Sequence, residues 1–237
     1  MKKNVKLIGI FVFGMFVLAS ASVQVTVVAA ETAQTWYFTT AENTTVGAPY
    51  ANDGWVHDKD LVMNKTKPTY GTYCVLDGQK ALWFYADTGA QVDLGFGESA
   101  WTAKIYTSDP NKKAGNTTTV DICKITPDGT VTVLASGSEI LVDDKKEYNI
   151  TCEDKGTTTQ DFSNGDWLGA RVSWSGPATE TIRIYYNPNL QPKGKSSYVT
   201  SPSTDPGYPV PELPSLVLFS TGLLALAGYS LLTKRRG

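Results

Sequence analysis

Apolar residues recur at every second position in several short segments of this 237-residue chain, and this period constrains the fold more than any other feature. In residues 101–106, Trp101, Ala103 and Ile105 share one face, while Thr102 and Lys104 lie on the other. The same alternation recurs in residues 148–152, 168–174 and 182–186. A period of two is typical of β-strands with one buried face.

Turn signals separate these segments. Asp77-Gly78 lies between two apolar runs and predicts a hairpin, and Pro127-Asp128-Gly129 predicts another. We count about ten short strands at the spacing of sandwiches and barrels. The sequence therefore predicts an all-β domain over residues 31–187, an antiparallel two-sheet β-sandwich of jelly-roll type. A closed barrel is the alternative.

The N-terminus has the pattern of a secretory signal peptide. Lys2, Lys3 and Lys6 precede an apolar run at 7–18, and small residues follow up to Ala30. A short apolar core with a small-residue exit is typical of a cleaved signal, here residues 1–30. A retained N-terminal anchor is the alternative.

The C-terminus has three parts in a fixed order. Pro211 and Glu212 belong to a short Pro/Glu motif, residues 215–232 are apolar and uncharged, and residues 234–236 are Lys-Arg-Arg. The apolar run has the length of a transmembrane helix, and the cations are expected at its cytoplasmic end. Residues 211–237 are thus predicted to address and anchor the protein.

This tail resembles the tripartite C-terminal sorting signals of prokaryotic surface proteins, namely the archaeosortase (PEF-CTERM) and exosortase (PEP-CTERM) types. Pro211 and Glu212 match the Pro-Glu pair that both types share. Leu213 replaces the Phe of the archaeal type and the Pro of the bacterial type. The resemblance implies a membrane-embedded sorting transpeptidase as partner and an anchored location on the outer face of the plasma membrane. A plain C-terminal membrane anchor is the alternative.

Residues 188–210 are rich in proline and poor in apolar side chains, which predicts an extended linker or stalk. The whole chain has 21 Lys and Arg against 23 Asp and Glu, and six of the cations lie at the two ends. The exported part is therefore acidic, which argues against binding nucleic acid.

Few residues indicate chemistry. His57 is the only histidine, and it is predicted to lie on a surface loop. Paired carboxylates at Asp58/Asp60 and at residues 143–144 are the only glycosidase pattern, although solvated turns explain both pairs. Asp58 and Asp60 are also weak candidates for calcium, and no other cofactor is predicted. Trp55, in an irregular polar loop, is the candidate ligand contact because an exposed ring stacks on sugars.

Cysteines and sequons point to an extracellular protein. One disulfide is predicted among three cysteines, with Cys123–Cys152 as the preferred pair. Four Asn-x-Thr sequons, all predicted to face outward, are candidates for glycosylation: Asn43, Asn64, Asn116 and Asn149.

Three functions follow from these patterns. The first is an exported, non-enzymatic surface protein with a structural or adhesive role. The second is a surface carbohydrate-binding module for a cell-surface polysaccharide. The third is a glycosidase-like hydrolase, which requires two carboxylates in one cleft.

Overall fold

The computed structural model describes residues 32–69, 73–97, 100–108, 115–141, 146–155, 160–186 and 196–208. The predicted signal peptide and residues 209–237 lie outside these ranges, as do residues 143–144. In chain order the described strands are β1 (Thr35–Glu42), β2 (His57–Asn64), β3 (Tyr73–Asp77), β4 (Ala81–Ala86), β5 (Leu94–Gly95), β6 (Trp101–Ser108), β7 (Thr117–Ile125), β8 (Val131–Ile140), β9 (Lys146–Asp154), β10 (Asp161–Phe162), β11 (Trp167–Trp174), β12 (Thr181–Tyr185) and β13 (Tyr198–Thr200).

Nine of these strands close into a ring, so the predicted two-sheet sandwich is wrong. The order is β13-β1-β2-β4-β11-β7-β8-β9-β6, and β6 pairs back with β13. Closure is possible because Tyr198–Thr200 pairs with β1 on one edge and with β6 on the other. The second half of β6 pairs with β12, which carries β3. The short strands β5 and β10 form a separate pair.

Local turn signals did not always give the right strand partners. The Asp77-Gly78 turn joins β3 to β4, but β3 pairs with β12 and β4 pairs with β2 and β11, so this hairpin is wrong. The β2–β4 pair is parallel, which also departs from the predicted all-antiparallel arrangement. The turn at residues 126–130 does join the antiparallel hairpin β7–β8, as predicted.

The main core fills the ring, and the sequence predicted its residues well. The alternating apolar side chains of β6, β9, β11 and β12 all lie in this core. Phe38 and Phe84 stack inside it with their ring centroids 3.9 Å apart. The inward positions follow from the two-residue period alone, whichever strands become neighbours.

Residues 196–208 belong to the folded domain, which extends it past the predicted boundary at residue 187. Tyr198–Thr200 closes the ring, and the Tyr208 ring is fully buried. The Tyr208 hydroxyl donates to the Thr88 carbonyl (2.9 Å) and accepts from the Leu168 N–H (3.0 Å). The stalk predicted for residues 188–210 is therefore corrected at residues 196–208, and the remainder of it lies outside the described residues.

The described part contains one short 3-10 turn, Asn43–Thr45. Within the described ranges, no helix has the length and apolar content needed to cross a membrane. The predicted segment 215–232 lies outside those ranges.

Candidate functional site

The outer face of β4 is buried as well as its inner face, because residues 43–56 fold over it. Ala81, Trp83 and Tyr85 point outward from β4 and pack in a second apolar cluster that includes Ala48 and Ala51 of this loop. The loop is also tied to the β7–β8 hairpin by a backbone hydrogen bond from residue 52 to residue 129 (2.8 Å). We call residues 43–56 the covering loop.

An arginine fixes the covering loop to the sheet. Arg171, on the outer face of β11, donates from Nε (3.1 Å) and Nη2 (2.8 Å) to Asp121 Oδ2 and from Nη1 to Asp53 Oδ2 (2.5 Å). Its guanidinium lies 5.1 Å from the Trp55 ring centroid and 5.8 Å from that of Trp83. Sequence reasoning missed Arg171; the only signal was a charge in an otherwise apolar strand.

His57 continues this polar network from the start of β2. Its Nδ1 lies 2.9 Å from Asp60 Oδ1, and its Nε2 lies 3.3 Å from Asp53 Oδ1. The Tyr85 hydroxyl donates to Asp60 (2.7 Å) and accepts from the Ala51 N–H (3.1 Å). The predicted surface-loop position of His57 is therefore wrong, because its side chain is only 17% exposed and bridges the loop to the strand.

The network is suited to holding the covering loop rather than to acid–base catalysis. Both ring nitrogens of His57 face carboxylates, so neither offers a free lone pair to a substrate. Burial is the largest single influence on the pKa of Asp53 and would raise it, but the hydrogen bonds from Arg171, the Trp55 N–H and His57, with the charge of Arg171, together outweigh burial and the pKa is lowered. Burial raises the pKa of the nearby Cys123 thiol, which makes it a poor nucleophile.

A groove opens on another part of the ring, between β8 and β9. These strands pair only at Ala135–Asp154 and Ser136–Glu153 and then diverge. At Gly137, the first residue after the last pair, the two backbones are still so close that a Cβ would lie 2.2 Å from the Thr151 carbonyl oxygen. Beyond it the groove has a volume of about 610 Å³ and is lined by Thr117, Ser138, Glu139, Ile140, Lys146, Glu147, Tyr148 and Asn149.

The groove brings together two carboxylates that the sequence did not single out. Glu139 lines it from β8 and is exposed, whereas Glu147 lines it from β9. Glu147 forms an ion pair with Lys104 of β6, with 3.2 Å between Nζ and Oε1. Hydrogen bonds to Tyr198 and then Glu147 raise the pKa of Lys104. No local motif marks this pair, because strand divergence alone makes the cleft.

The calcium candidates do not share a site. Asp58 accepts from the Asp77 N–H (3.0 Å) and lies 3.6 Å from Lys80 Nζ, whereas Asp60 bonds His57 and Tyr85. Across the described residues, no group of three or more His, Cys, Asp or Glu side chains is arranged for a metal ion. Each carboxylate is thus occupied by a donor of the protein itself.

The predicted Cys123–Cys152 disulfide is absent, and all three thiols are free and buried. Cys123 packs in the outer cluster beneath the covering loop, whereas Cys152 points into the ring. The two thiols therefore lie on opposite faces of the sheet that forms the ring. Cys152 Sγ lies 3.6 Å from the Val120 carbonyl oxygen, and Cys74 Sγ lies 3.8 Å from the Tyr186 hydroxyl.

The four sequons are not equally accessible. Asn149 is exposed, whereas Asn64 and Asn116 are partly buried. Asn43 is 1% exposed, and its amide donates to the Ala48 carbonyl (2.9 Å). The outward position predicted for Asn43 is wrong, because its side chain forms the turn that begins the covering loop.

No protein-family model and no curated protein matches this chain. Solved structures with partial similarity include an aminopeptidase from a Thaumarchaeota archaeon of marine sediment (10% identity, TM-score 0.47) and a CocE/NonD-family hydrolase from Staphylococcus aureus (11% identity, TM-score 0.48). The matches cover 65% and 71% of this chain and 36% of each enzyme, so the chain spans about a third of their length. The Eiger TNF of S. frugiperda matches 76% of this chain and 99% of its own (10% identity, TM-score 0.33).

Two of these neighbours are named as hydrolases, and the predicted non-enzymatic structural or adhesive role is not retained. At these identities and TM-scores, the neighbours assign no activity to this chain.

Proposed function

We propose that the β8–β9 groove is the active site of a hydrolase that acts on saccharides. The observation that supports the proposal is the pair Glu139 and Glu147, which line one open groove from different strands. The groove volume of about 610 Å³ lies within the range of small-molecule sites. Glycoside hydrolysis needs two carboxyl groups flanking the scissile bond, one as acid and one as base or nucleophile.

The two glutamates differ in their surroundings, which assigns their roles. Glu147, whose Oε1 pairs with Lys104 Nζ, has the role of base or nucleophile. Glu139 has the role of general acid, which protonates the glycosidic oxygen as the bond to the anomeric carbon breaks. Water supplies the hydroxyl of the new reducing end. Asn149 and Thr117 offer hydrogen bonds to sugar hydroxyls along the groove.

We further propose that the hydrolase is exported and held at the cell surface. The sequence of residues 1–30 and the sorting-type tail at residues 211–237 support this location. The last described residue, Tyr208, is buried, and Pro211 follows three residues later. Three extended residues span at most about 10 Å, so the folded domain is close to the processing motif. Such an enzyme meets extracellular polysaccharides.

The test is release of reducing ends by the full chain purified in detergent. Soluble laminarin, mannan, dextran and alginate are the substrates. We expect Glu139→Gln and Glu147→Gln each to lower the rate by about 10²–10⁴, the usual contribution of a positioned acid or base. Glu153→Gln is the matched control, because Glu153 is exposed on β9 outside the groove.

Retention of the native thermal transition in each variant separates a catalytic loss from unfolding. The proposal fails if the wild-type chain releases no reducing ends from any of the four polysaccharides. It fails equally if both groove variants keep the wild-type rate.

A further inference from the structure

Trp55 is exposed and yet held rigidly, which is unusual for so large an apolar side chain. Its side chain is 39% exposed. Its backbone N–H donates to Asp53 Oδ1 (3.1 Å), and one side of its ring lies over Arg171. Arg171 is itself held by Asp53 and Asp121. The position of the indole is therefore fixed before any ligand binds, so binding costs little side-chain entropy.

The covering loop concentrates exposed apolar surface. Six large apolar side chains are exposed among the described residues, and three of them belong to seven consecutive residues of this loop: Tyr50 (57%), Trp55 and Val56 (63%). A loop that only sealed the outer cluster would turn such groups inward, as Ala48 and Ala51 do. The exposed rings are thus unexplained by packing.

A buried donor lies beneath the same loop. Trp83 is fully buried, and its indole Nε1–H has no hydrogen-bond partner among the described residues. The Trp83 ring lies 5.8 Å from the His57 ring and 5.8 Å from the Arg171 guanidinium. Buried donors normally have partners, so the Trp83 N–H is unsatisfied by the described residues around it, although the fully buried ring does not reach the loop surface.

We propose that Trp55, with Tyr50, forms a binding site for a neutral polysaccharide. The C–H groups on one face of a pyranose ring carry partial positive charge and suit the negative face of an aromatic ring. The surrounding charges select a neutral glycan. Asp53 and Asp121 both pair with Arg171, and Asp60 adds a third carboxylate through its bond to His57, so acidic sugars are repelled.

This site is separate from the groove, and its existence does not depend on the hydrolase proposal. Arg171 is on β11, and two strands, β7 and β8, lie between it and β9. At about 4.8 Å per strand the lateral distance is about 15 Å. A glycan chain of that span would contact both sites, with Trp55 as an anchor outside the cleavage site.

The experiment measures retardation of the full chain in native gels that contain laminarin, mannan, dextran or alginate. The Glu147→Gln chain is the background, so that no polysaccharide is cleaved during the run. We expect retardation by a neutral polysaccharide and none by alginate. Trp55→Ala should weaken binding by about 2–13-fold, which corresponds to the value of an aromatic contact. Trp55→Tyr should keep most of the affinity.

Val56→Ala is the matched control, since Val56 is the exposed neighbour of Trp55 and offers no ring. An unchanged affinity in Trp55→Ala overturns the proposal, as does retardation by alginate alone or by no polysaccharide. The two proposals fail separately. Retardation that depends on Trp55, with no reducing ends from the wild type, overturns only the hydrolase. Reducing ends without any dependence of binding on Trp55 overturn only this site.

Discussion

Tyr208 tests whether the segment after β12 belongs to the folded domain or is a linker. Its ring is fully buried, with centroids 5.6 Å from Phe162, 6.1 Å from Phe96 and 6.2 Å from Trp36. Replacing a buried aromatic ring with alanine costs about 3–5 kcal/mol of unfolding free energy. At about 2–4 °C per kcal/mol for a domain of this size, Tyr208→Ala should lower the Tm by about 6–20 °C.

A conservative change separates the ring from its hydroxyl. Tyr208→Phe keeps the packing but leaves the Leu168 N–H and the Thr88 carbonyl without this partner. Unpaired buried groups cost about 1–3 kcal/mol, so the expected decrease in Tm is about 2–12 °C. Tyr50→Ala, at an exposed position, should change Tm by less than about 2 °C.

The assay is thermal unfolding followed by near-UV circular dichroism. If Tyr208→Ala and Tyr50→Ala have the same Tm, then residues 196–208 do not contribute to the fold. The reasoning would then be refuted, and the linker predicted from the sequence would be restored.

Three further predictions concern charge, glycans and the tail. Because the pKa of Asp53 is lowered in the folded state, its carboxylate stabilises the fold above the unfolded-state pKa of about 3.9, and this stability is lost as pH falls through the folded-state pKa. Urea unfolding midpoints measured against pH should therefore fall less steeply at acid pH in Asp53→Asn than in the wild type. In a host that N-glycosylates, glycopeptide mass spectrometry should find Asn43 unmodified; a glycan on Asn43 in folded protein would contradict its burial. Glu212→Ala should leave full-length protein in the membrane. Intact-mass measurement of wild-type protein from the cell surface should find a chain that ends near Pro211, and a wild-type chain complete to Gly237 would show that the tail is a plain membrane anchor.

Much of the wall of the ring was predictable, but its closure was not. Inward positions such as Ala103 and Ile150 follow from a two-residue period that each strand carries by itself. Strand order depends on contacts distant in sequence. The closing strand, Tyr198–Thr200, has three residues in a proline-rich region whose composition predicts a linker. Its partners are residues 35–37 and 102–104, and no local pattern indicates them.

The Asp77-Gly78 turn shows the same limit from the other side. The sequence correctly marks a turn, but the strands on either side pair elsewhere. Gly78 is needed because a Cβ there would lie 2.0 Å from the Pro177 carbonyl oxygen, a contact about a hundred residues away. The glycine that predicted a hairpin is thus explained by the close approach of the backbones at Gly78 and Pro177.

The candidate sites were harder to predict than the wall. Trp55 could be singled out because its loop is polar and irregular. Its fixed position depends on Arg171 and Asp121, which come from strands that only the tertiary structure brings beneath the covering loop. Glu139 and Glu147 become neighbours of one groove because β8 and β9 diverge after two residue pairs. Their sequence spacing contains no trace of that divergence.

The central claim is that water cleaves a glycosidic bond in the β8–β9 groove, and isotope labelling tests it most directly. The full chain is incubated in ¹⁸O-labelled water with the intact polysaccharide that it cleaves in the reducing-end assay, and the products are analysed by mass spectrometry. A matching oligosaccharide in labelled water without protein corrects for spontaneous exchange. The account predicts one ¹⁸O at each new reducing end above this background, and about 10²–10⁴-fold slower formation of this product with Glu147→Gln. Unlabelled, unsaturated products would show elimination in place of hydrolysis, and equal labelling by Glu147→Gln would place the chemistry outside the groove; either result would contradict the account.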